Sequence, residues 1–264
     1  MSLVKAKKHL GQHFLTDKNI AEKIVNSLQH SVQYKQVLEV GPGMGILSDF
    51  LLANKDLETY LIDIDTESYE FLKKKYSNLG ERLINGDFLQ LDFAEVFPAK
   101  FGIIGNFPYN ISSQILFKVL DNRNQVLELV GMFQKEVAQR CAEKPGSKEY
   151  GILSVFLQAY YKVEYLFSVK PGVFKPPPKV NSAVIRLTRN DVEKLNCDEK
   201  LFWQVVKAGF NQRRKTLRNA LSSIISKESR TDDPMFDLRA ERLSVDDFVK
   251  LTNLISTSRI IQNE

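Results

Sequence analysis

Two short stretches of this 264-residue chain carry residue types whose spacing can do chemistry. One is Asn106-Phe107-Pro108-Tyr109, delivered by the apolar run Phe101-Gly102-Ile103-Ile104-Gly105. An amine attached to an aromatic base has its lone pair drawn into the ring. It becomes a useful nucleophile when two acceptors hold its N–H groups and favour a pyramidal nitrogen. The side-chain oxygen of Asn106 and the backbone carbonyl of Phe107 can be those acceptors. Pro108 stiffens the turn by fixing φ, and Tyr109 offers a ring face to a base taken out of its stack. The same four residues also read as a turn with a packed ring and nothing more.

The other stretch is Val37-Leu38-Glu39-Val40-Gly41-Pro42-Gly43-Met44-Gly45, an apolar run that breaks into three glycines and resumes at Ile46-Leu47. A buried strand ending in a glycine turn that opens a helix is the nucleotide cradle of doubly wound α/β sheets. The dinucleotide fingerprint wants glycines at its first, third and sixth positions, and the sixth here is Ile46. Glu39 followed by Gly-x-Gly-x-Gly more closely resembles the S-adenosylmethionine loop of class I methyltransferases. A dinucleotide loop and a purely structural turn are the competing readings. With an activated methyl sulfonium no general base is required; catalysis is in-line alignment, and the proton leaves to water after transfer.

The elements that must position these residues follow from the pattern. Asp17 can cap a helix carrying Ile20, Ile24, Val25 and Leu28. The basic, turn-like arm before it, residues 5–15, either lies across the cofactor mouth or frays. Ile46 to Ala53 reads as helix, Thr59 to Asp65 as a second strand, and Glu67 to Leu79 as helix. Asp63, eighteen residues past Gly45, is placed to hold ribose hydroxyls, with Asp65 or Thr66 beginning the next helix. Arg82 to Phe88 reads as a third strand running into a Gly86-Asp87 turn, where Asp87 accepts from an adenine amine or makes an ordinary Asx turn. Helix is expected at Ser112–Leu120 and Gln134–Cys141, strand at Val126–Phe133, and an apolar helix ending near Ala159. Strands follow at Tyr161–Phe167 and Ser182–Thr188. The intervening Val173 to Val180 is too proline-rich for regular structure; its Phe174 either holds a second ring against a base or plugs the loop onto the core.

Length and a 43% hydrophobic content fit one large domain or two modest ones. No run of about 18 apolar residues and no apolar signal core occurs, so a soluble cytoplasmic protein is expected. Cys141 and Cys197 read as reduced thiols, and His9, His13 and His30 lack ligand spacing, so no metal is expected.

From about Asn190 the chain reads as helices. Asp198 caps one with Leu201, Phe202, Val205 and Val206; Leu217, Ala220, Leu221, Ile224 and Ile225 give a second; Ser244 begins a third with Phe248, Val249, Thr252 and Ile255. The expected boundaries are therefore 1–190 for an α/β domain and 191–264 for a small helical one. The net charge is +5, yet Leu201 to Lys227 holds six basic residues (Lys207, Arg213, Arg214, Lys215, Arg218 and Lys227) and no acid. That local field suggests nucleic acid, a solvated basic face being the alternative. Arg213 to Lys215 fall near the start of the second helix, where the macrodipole disfavours cations, which points to a bound anion.

With these residues collected, the chain resembles the ribosomal RNA adenine dimethyltransferases over nearly its whole length, specifically the small-subunit enzymes. The carriers are Leu10-Gly11-Gln12-His13-Phe14-Leu15, the Glu39–Gly45 loop, Asn106-Phe107-Pro108-Tyr109, Val173–Val180 and Arg213–Asn219, in this order. The resemblance implies N6,N6-dimethylation of two adjacent adenines near the 3′ end of small-subunit (16S) RNA, with S-adenosylmethionine as cofactor, S-adenosylhomocysteine as product, and an assembling subunit as preferred substrate. It implies a seven-stranded Rossmann-like sheet with one antiparallel strand. His13 and Leu15 would contact the cofactor, Gly41 its methionine part, Asp63 its ribose and Asp87 its adenine. Asn106 would meet both cofactor and target amine, and Tyr109 and Phe174 would sandwich the base. Gln12, Gly43, Gly45, Ile64 and Phe88 complete the expected cofactor set. Lys7, Lys8, Lys207, Arg213, Arg214, Lys215 and Arg218 form the expected RNA-binding set. A monomer without membrane or metal partners is expected.

Three positions depart from the family pattern. Asp63 stands where Glu is common, one methylene shorter; His13 stands where Asn is frequent; Phe107 replaces an aliphatic residue. The rivals are a large-subunit adenine methyltransferase of the macrolide-resistance type and an assembly factor with dispensable catalysis.

Overall fold

The computed structural model describes residues 4–29, 33–225 and 232–260. His30 and Lys227 lie outside the described residues. In chain order the principal elements begin with β1 (Phe14–Leu15), α1 (Lys18–Val25), β2 (Gln36–Val40), α2 (Ile46–Ala53), β3 (Glu58–Asp63), α3 (Thr66–Lys75) and β4 (Leu83–Asn85). Next come α4 (Phe93–Val96), β5 (Phe101–Asn106), α5 (Ser112–Asp121), β6 (Val126–Gln134), α6 (Lys135–Ala142) and α7 (Ile152–Tyr160). The last are β7 (Tyr161–Val169), β8 (Phe174–Lys175), β9 (Ser182–Arg189), α8 (Glu199–Asn211), α9 (Leu217–Ala220) and α10 (Val245–Ile260).

Seven strands form one sheet in the order β4-β3-β2-β5-β6-β9-β7. The pairs from β4 through β6 are parallel, and β9 runs antiparallel to β6. The strand order reverses between β2 and β5, the switch point at which doubly wound sheets bind ligands beyond their carboxyl ends. Val37, Leu38, Ile103, Ile104, Leu129 and Val130 are fully buried, as central strands covered on both faces require. The fold is a doubly wound α/β sheet of seven strands with one strand antiparallel to its neighbour β6, the arrangement that the family resemblance implies.

Two expectations need correction here. The segment 173–180 is not wholly irregular: β8 pairs antiparallel with β1, joining Leu15 to Phe174 and Phe14 to Lys175. The threonine after β1 reinforces the join, since Thr16 N–H donates to the Val173 carbonyl at 2.8 Å. The arm is thereby a bound segment of the sheet domain and not a frayed terminus. The second correction concerns the helix built on Leu217, Ala220 and Leu221. It is regular only over Leu217–Ala220, with turns beyond.

The chain divides into two compact units, residues 1–138 with 162–189 and residues 139–161 with 190–264. The second stretch of the helical unit begins at Asn190, and α7 with the loop before it also belongs to that unit. Phe156 of α7 packs its ring against Phe202 and Trp203 of α8, an aromatic contact inside the helical unit. In the helical unit Asp198 accepts from the N–H groups of Lys200 and Leu201, capping α8. Ser244 and Asp247 cap α10 reciprocally.

Candidate active site

The carboxyl ends of β2, β3, β4 and β5 open on one cavity within the sheet unit. It is lined by Gly41, Asp63, Asp87 and Asn106 from those strand ends, and closed on one side by the arm through Gln12 and His13. Each strand therefore brings one of the sequence-nominated residues to a common edge.

All three loop glycines adopt left-handed φ, +68° at Gly41, +57° at Gly43 and +78° at Gly45. The reasons for glycine differ. A Cβ on Gly43 would lie 2.7 Å from the Phe14 ring, and one on Gly45 would lie 2.6 Å from the Tyr76 hydroxyl. Those two serve the chain's own packing, and Gly45 does not line the cavity. Around Gly41 nothing lies within 4 Å of a Cβ, so its missing side chain leaves open space at the cavity wall, where a ligand backbone can approach. The end of α3 clamps the loop from behind: Tyr76 donates its hydroxyl to the Gly45 carbonyl at 3.0 Å and Lys75 Nζ donates to the Met44 carbonyl at 3.2 Å.

The acids divide their tasks. Asp63 is 5% exposed and accepts from Gly43 N–H at 3.1 Å and Asp65 N–H at 2.9 Å, one bond on each oxygen. Burial pushes its carboxyl up to about 6. Each oxygen keeps a further lone pair for a hydroxyl donor. Asp65 caps α3 by accepting from Glu67 N–H, and it anchors the arm through Lys7 Nζ and through Gln12 Nε2 at 3.1 Å. Lys7 and Gln12 thus tie the arm down. Lys7 is committed to Asp65 and is not a free cation for RNA. Asp87 accepts from Leu89 N–H at 2.9 Å in an Asx turn and also lines the cavity, so the turn leaves the carboxylate at the cavity wall. Ile64, 53% exposed, and Phe88, buried against Phe93, line the same wall.

Sequence reasoning missed the residue that holds this turn. Lys118 Nζ donates to the Leu89 carbonyl at 3.0 Å and the Leu91 carbonyl at 2.7 Å, and lies 4.7 Å from the Phe93 ring centroid. Burial lowers its pKa. A lone lysine on an amphipathic helix carries no signal of such a role.

At the end of β5, Asn106 Nδ2 donates to the His13 carbonyl at 2.8 Å. That bond fixes the amide so that Oδ1 is the atom left to accept. Tyr109 bonds Ser182 Oγ through its hydroxyl at 2.6 Å, and its ring lies against His13 with centroids 5.5 Å apart. Pro108 also lines the cavity. Phe107 is 1% exposed and its ring lies tilted against Phe133, so its side chain wedges the turn into the sheet while only its backbone is available to a ligand.

Two site expectations are corrected. Phe174 is 2% exposed, sits in the core with Leu15 and Ile104, and does not line the cavity. Strand alternation in β8 turns Phe174 inward and Lys175 outward, so the ring plugs the loop onto the core and presents no face to a base. Leu15 likewise points into the core; it lines only a small recess beneath the loop, shared with Glu39, Gly41 and Asn106. Glu39 is 2% exposed, accepts from Ser48 Oγ at 2.6 Å, and is pushed by burial up to about 8.

The basic segment is also rearranged. Arg213 pairs with Glu241 at 2.7 Å and donates to the Ser147 carbonyl, and Arg218 pairs with Asp237 at 2.9 Å. Acids absent from 201–227 are thus supplied by the segment after it. Arg213 to Lys215 follow the C-terminal end of α8, where the dipole favours cations, so their placement needs no bound anion. Lys207, Arg214 and Lys215 remain exposed, as does Lys8 in the arm. Among the described residues no group of three or more His, Cys, Asp or Glu is placed to hold a metal ion. No helix among them is long and apolar enough to cross a membrane.

The family model of ribosomal RNA adenine dimethylases matches residues 3–257. A protein of Cytophaga hutchinsonii named ribosomal RNA small subunit methyltransferase A is 60% identical over 256 residues, covering 97% of this chain and 99% of that one. A protein of the same name from Flavobacterium johnsoniae is 52% identical, covering 98% and 99%. The crystal structure of a dimethyladenosine transferase from Plasmodium falciparum superposes with a TM-score of 0.78 at 26% identity, covering 94% of this chain and 98% of that one. The 23S rRNA methyltransferase ErmE shares the fold, with a TM-score of 0.68 at 23% identity over 92% and 99%.

Proposed function

Because the chain belongs to the ribosomal RNA adenine dimethylase family, we propose that it transfers methyl groups from S-adenosylmethionine to N6 of two adjacent adenines near the 3′ end of small-subunit (16S) ribosomal RNA, giving N6,N6-dimethyladenine during maturation of that subunit. The observation that carries the reading is the orientation of Asn106. Its Nδ2 is committed to the His13 carbonyl, which leaves Oδ1 as an acceptor at the cavity that Gly41 opens.

The residues present fit the cofactor: open space at Gly41, and the free lone pairs of Asp63 and Asp87 at the ends of adjacent strands. Asp63 would hold the ribose, Asp87 the adenine amine, with Ile64 and Phe88 along the base. Bound S-adenosylmethionine supplies a methyl group on a sulfonium, already electrophilic. Asn106 Oδ1 and the Phe107 carbonyl hold the two N–H groups of the target amine and favour the pyramidal nitrogen, and Tyr109 carries the base. No group needs to remove a proton before transfer, so the chain contributes chiefly by alignment. Exposed Lys207, Arg214 and Lys215 of the helical unit would meet RNA phosphates, and the protein would act as a cytoplasmic monomer.

Labelled S-adenosylmethionine is incubated with small and, separately, large subunits lacking their adenine dimethylations, and the RNA is digested. Labelled dimethyladenine from the small subunit alone is expected. Label in the large subunit would favour the resistance-type activity, and label in neither would favour an assembly factor. Asn106→Ala is expected to abolish methylation; unchanged activity would remove the residue from the reaction.

A further inference from the structure

We propose that Ser182 is a positioning residue for the methyl transfer: its hydroxyl ties the tip of the Asn106–Tyr109 turn to β9 and so fixes the plane of the ring on which the target base lies. The inference rests on the reading above and deepens it.

The turn crosses the carboxyl edge of the sheet with its residues tied to successive strands. Asn106 ends β5 and stands in register with Met132 of β6. Phe107 N–H donates to the Met132 carbonyl at 3.2 Å, so the next residue is held on β6. Tyr109 then reaches β9, where its hydroxyl lies 2.6 Å from Ser182 Oγ and either hydroxyl can donate. From β5 to β9 is two strand spacings, about 10 Å.

The fold brings the serine to this edge because β9 runs antiparallel to β6. Ser182 opens β9, opposite Gln134 at the end of β6. The residue before it is fixed as well, since the Asn181 carbonyl accepts from Lys135 N–H at 2.9 Å. Ser182 is fully buried and does not line the cavity. It therefore acts on the base through Tyr109 and not by touching it.

One face of Tyr109 is already taken. The His13 ring lies against it with centroids 5.5 Å apart, within the range of about 4.5–7 Å for rings in direct contact, so no base fits between them. The target base lies on the other face. The tilt of that face relative to Asn106 Oδ1 and the Phe107 carbonyl is set by where the phenol hydroxyl is held. Pro108 fixes its own φ but leaves the Tyr109 side chain its torsions, and the bond to Ser182 removes that freedom. In-line transfer requires nitrogen, methyl and sulfur to be aligned, so a swing of the ring is felt in the chemical step.

The test measures methylation of small subunits lacking their dimethylations by the wild-type protein, Ser182→Ala, Tyr109→Phe and the double variant. Each substitution removes one hydroxyl and little else. A misplacement of about 1 Å can cost roughly 10²-fold, so each single variant is expected to lower kcat at saturating S-adenosylmethionine by about 10-fold or more. The double variant is expected to lose no more than the worse single one, because both substitutions remove the same bond. Calorimetric S-adenosylmethionine affinity is expected to stay at the wild-type value, a split that a general weakening of the fold would not give. Wild-type kcat in Tyr109→Phe would overturn the proposal, and that variant decides it even where Ser182→Ala does not fold. Losses that multiply in the double variant would also overturn it, as would a loss in Ser182→Ala matched by an equal loss of cofactor affinity. Absence of adenine methylation by the wild-type protein would instead overturn the underlying reading.

Discussion

The Phe107 ring fills the space that a side chain at position 131 would need: a Cβ on Gly131 would lie 2.2 Å from Phe107 Cε2. Gly105 is constrained from the same side, its Cβ position lying 3.0 Å from the Phe107 ring and 2.7 Å from the Val40 carbonyl. The wedge therefore sets the depth at which the Asn106–Tyr109 turn sits on the sheet. Gly131→Ala is expected to destabilise the protein by about 1–3 kcal/mol, the usual cost of overpacking, and to lower methylation by displacing Asn106. Phe107→Leu in the same chain should recover part of that loss. A double-mutant cycle on urea denaturation checks this, and additive effects would contradict it.

Glu39 gives stability a defined pH dependence. Its folded pKa of about 8 lies above the ordinary 4.5, so the folded state binds more protons than the unfolded state across that interval. Stability from this group is fully present below about pH 4.5 and is lost as pH rises through about 8. Asp63 acts in the same direction from 3.8 to about 6. Glu39→Gln keeps an acceptor for Ser48 and removes the ionisation. It is expected to be nearly neutral at pH 5 and to stabilise by a few kcal/mol, order of magnitude, at pH 9. Denaturation midpoints across that range measure the effect.

Much of this site is legible in sequence because glycine, proline and strand-end acids carry local backbone information. The glycine loop, Asp63, Asp87 and Asn106 are all announced by strand ends, and parallel strands deliver their carboxyl ends to one edge. Phe174 illustrates the limit: whether an aromatic ring in a proline-rich segment faces a ligand or the core depends on which strand it pairs with, here Leu15. The pairing is 159 residues distant in sequence. The basic segment fails for a similar reason, since Glu241 and Asp237 come from chain beyond it. Gly131 did carry a signal, an isolated glycine in an apolar strand pattern, which commonly marks a close approach.

Lys118 is expected to act on cofactor affinity without touching the reaction. Lys118→Met would release the Leu89 and Leu91 carbonyls and loosen the turn that carries Asp87. The expected result is a roughly tenfold weaker S-adenosylmethionine affinity, about 1.4 kcal/mol, with kcat at saturation little changed and Lys118→Arg partly restoring binding. Equal losses in both parameters would contradict the positioning role.

The exposed and the paired cations of the helical unit should separate experimentally. Replacing Lys207, Arg214 and Lys215 together with Ala removes charges with exposed side chains, so RNA affinity should fall and its log–log salt slope should flatten by about 0.7–0.9 for each lost phosphate contact. Arg213→Ala instead breaks the Glu241 pair and frees the Ser147 carbonyl, so its main effect should be on stability, about 1 kcal/mol. Binding titrations from low to high salt, set beside thermal denaturation of the same variants, distinguish the two. An unchanged slope in the triple variant would make the segment a solvated face of the helical unit, and a slope change confined to Arg213→Ala would place the phosphate contact on the buttressed arginine and not on its exposed neighbours.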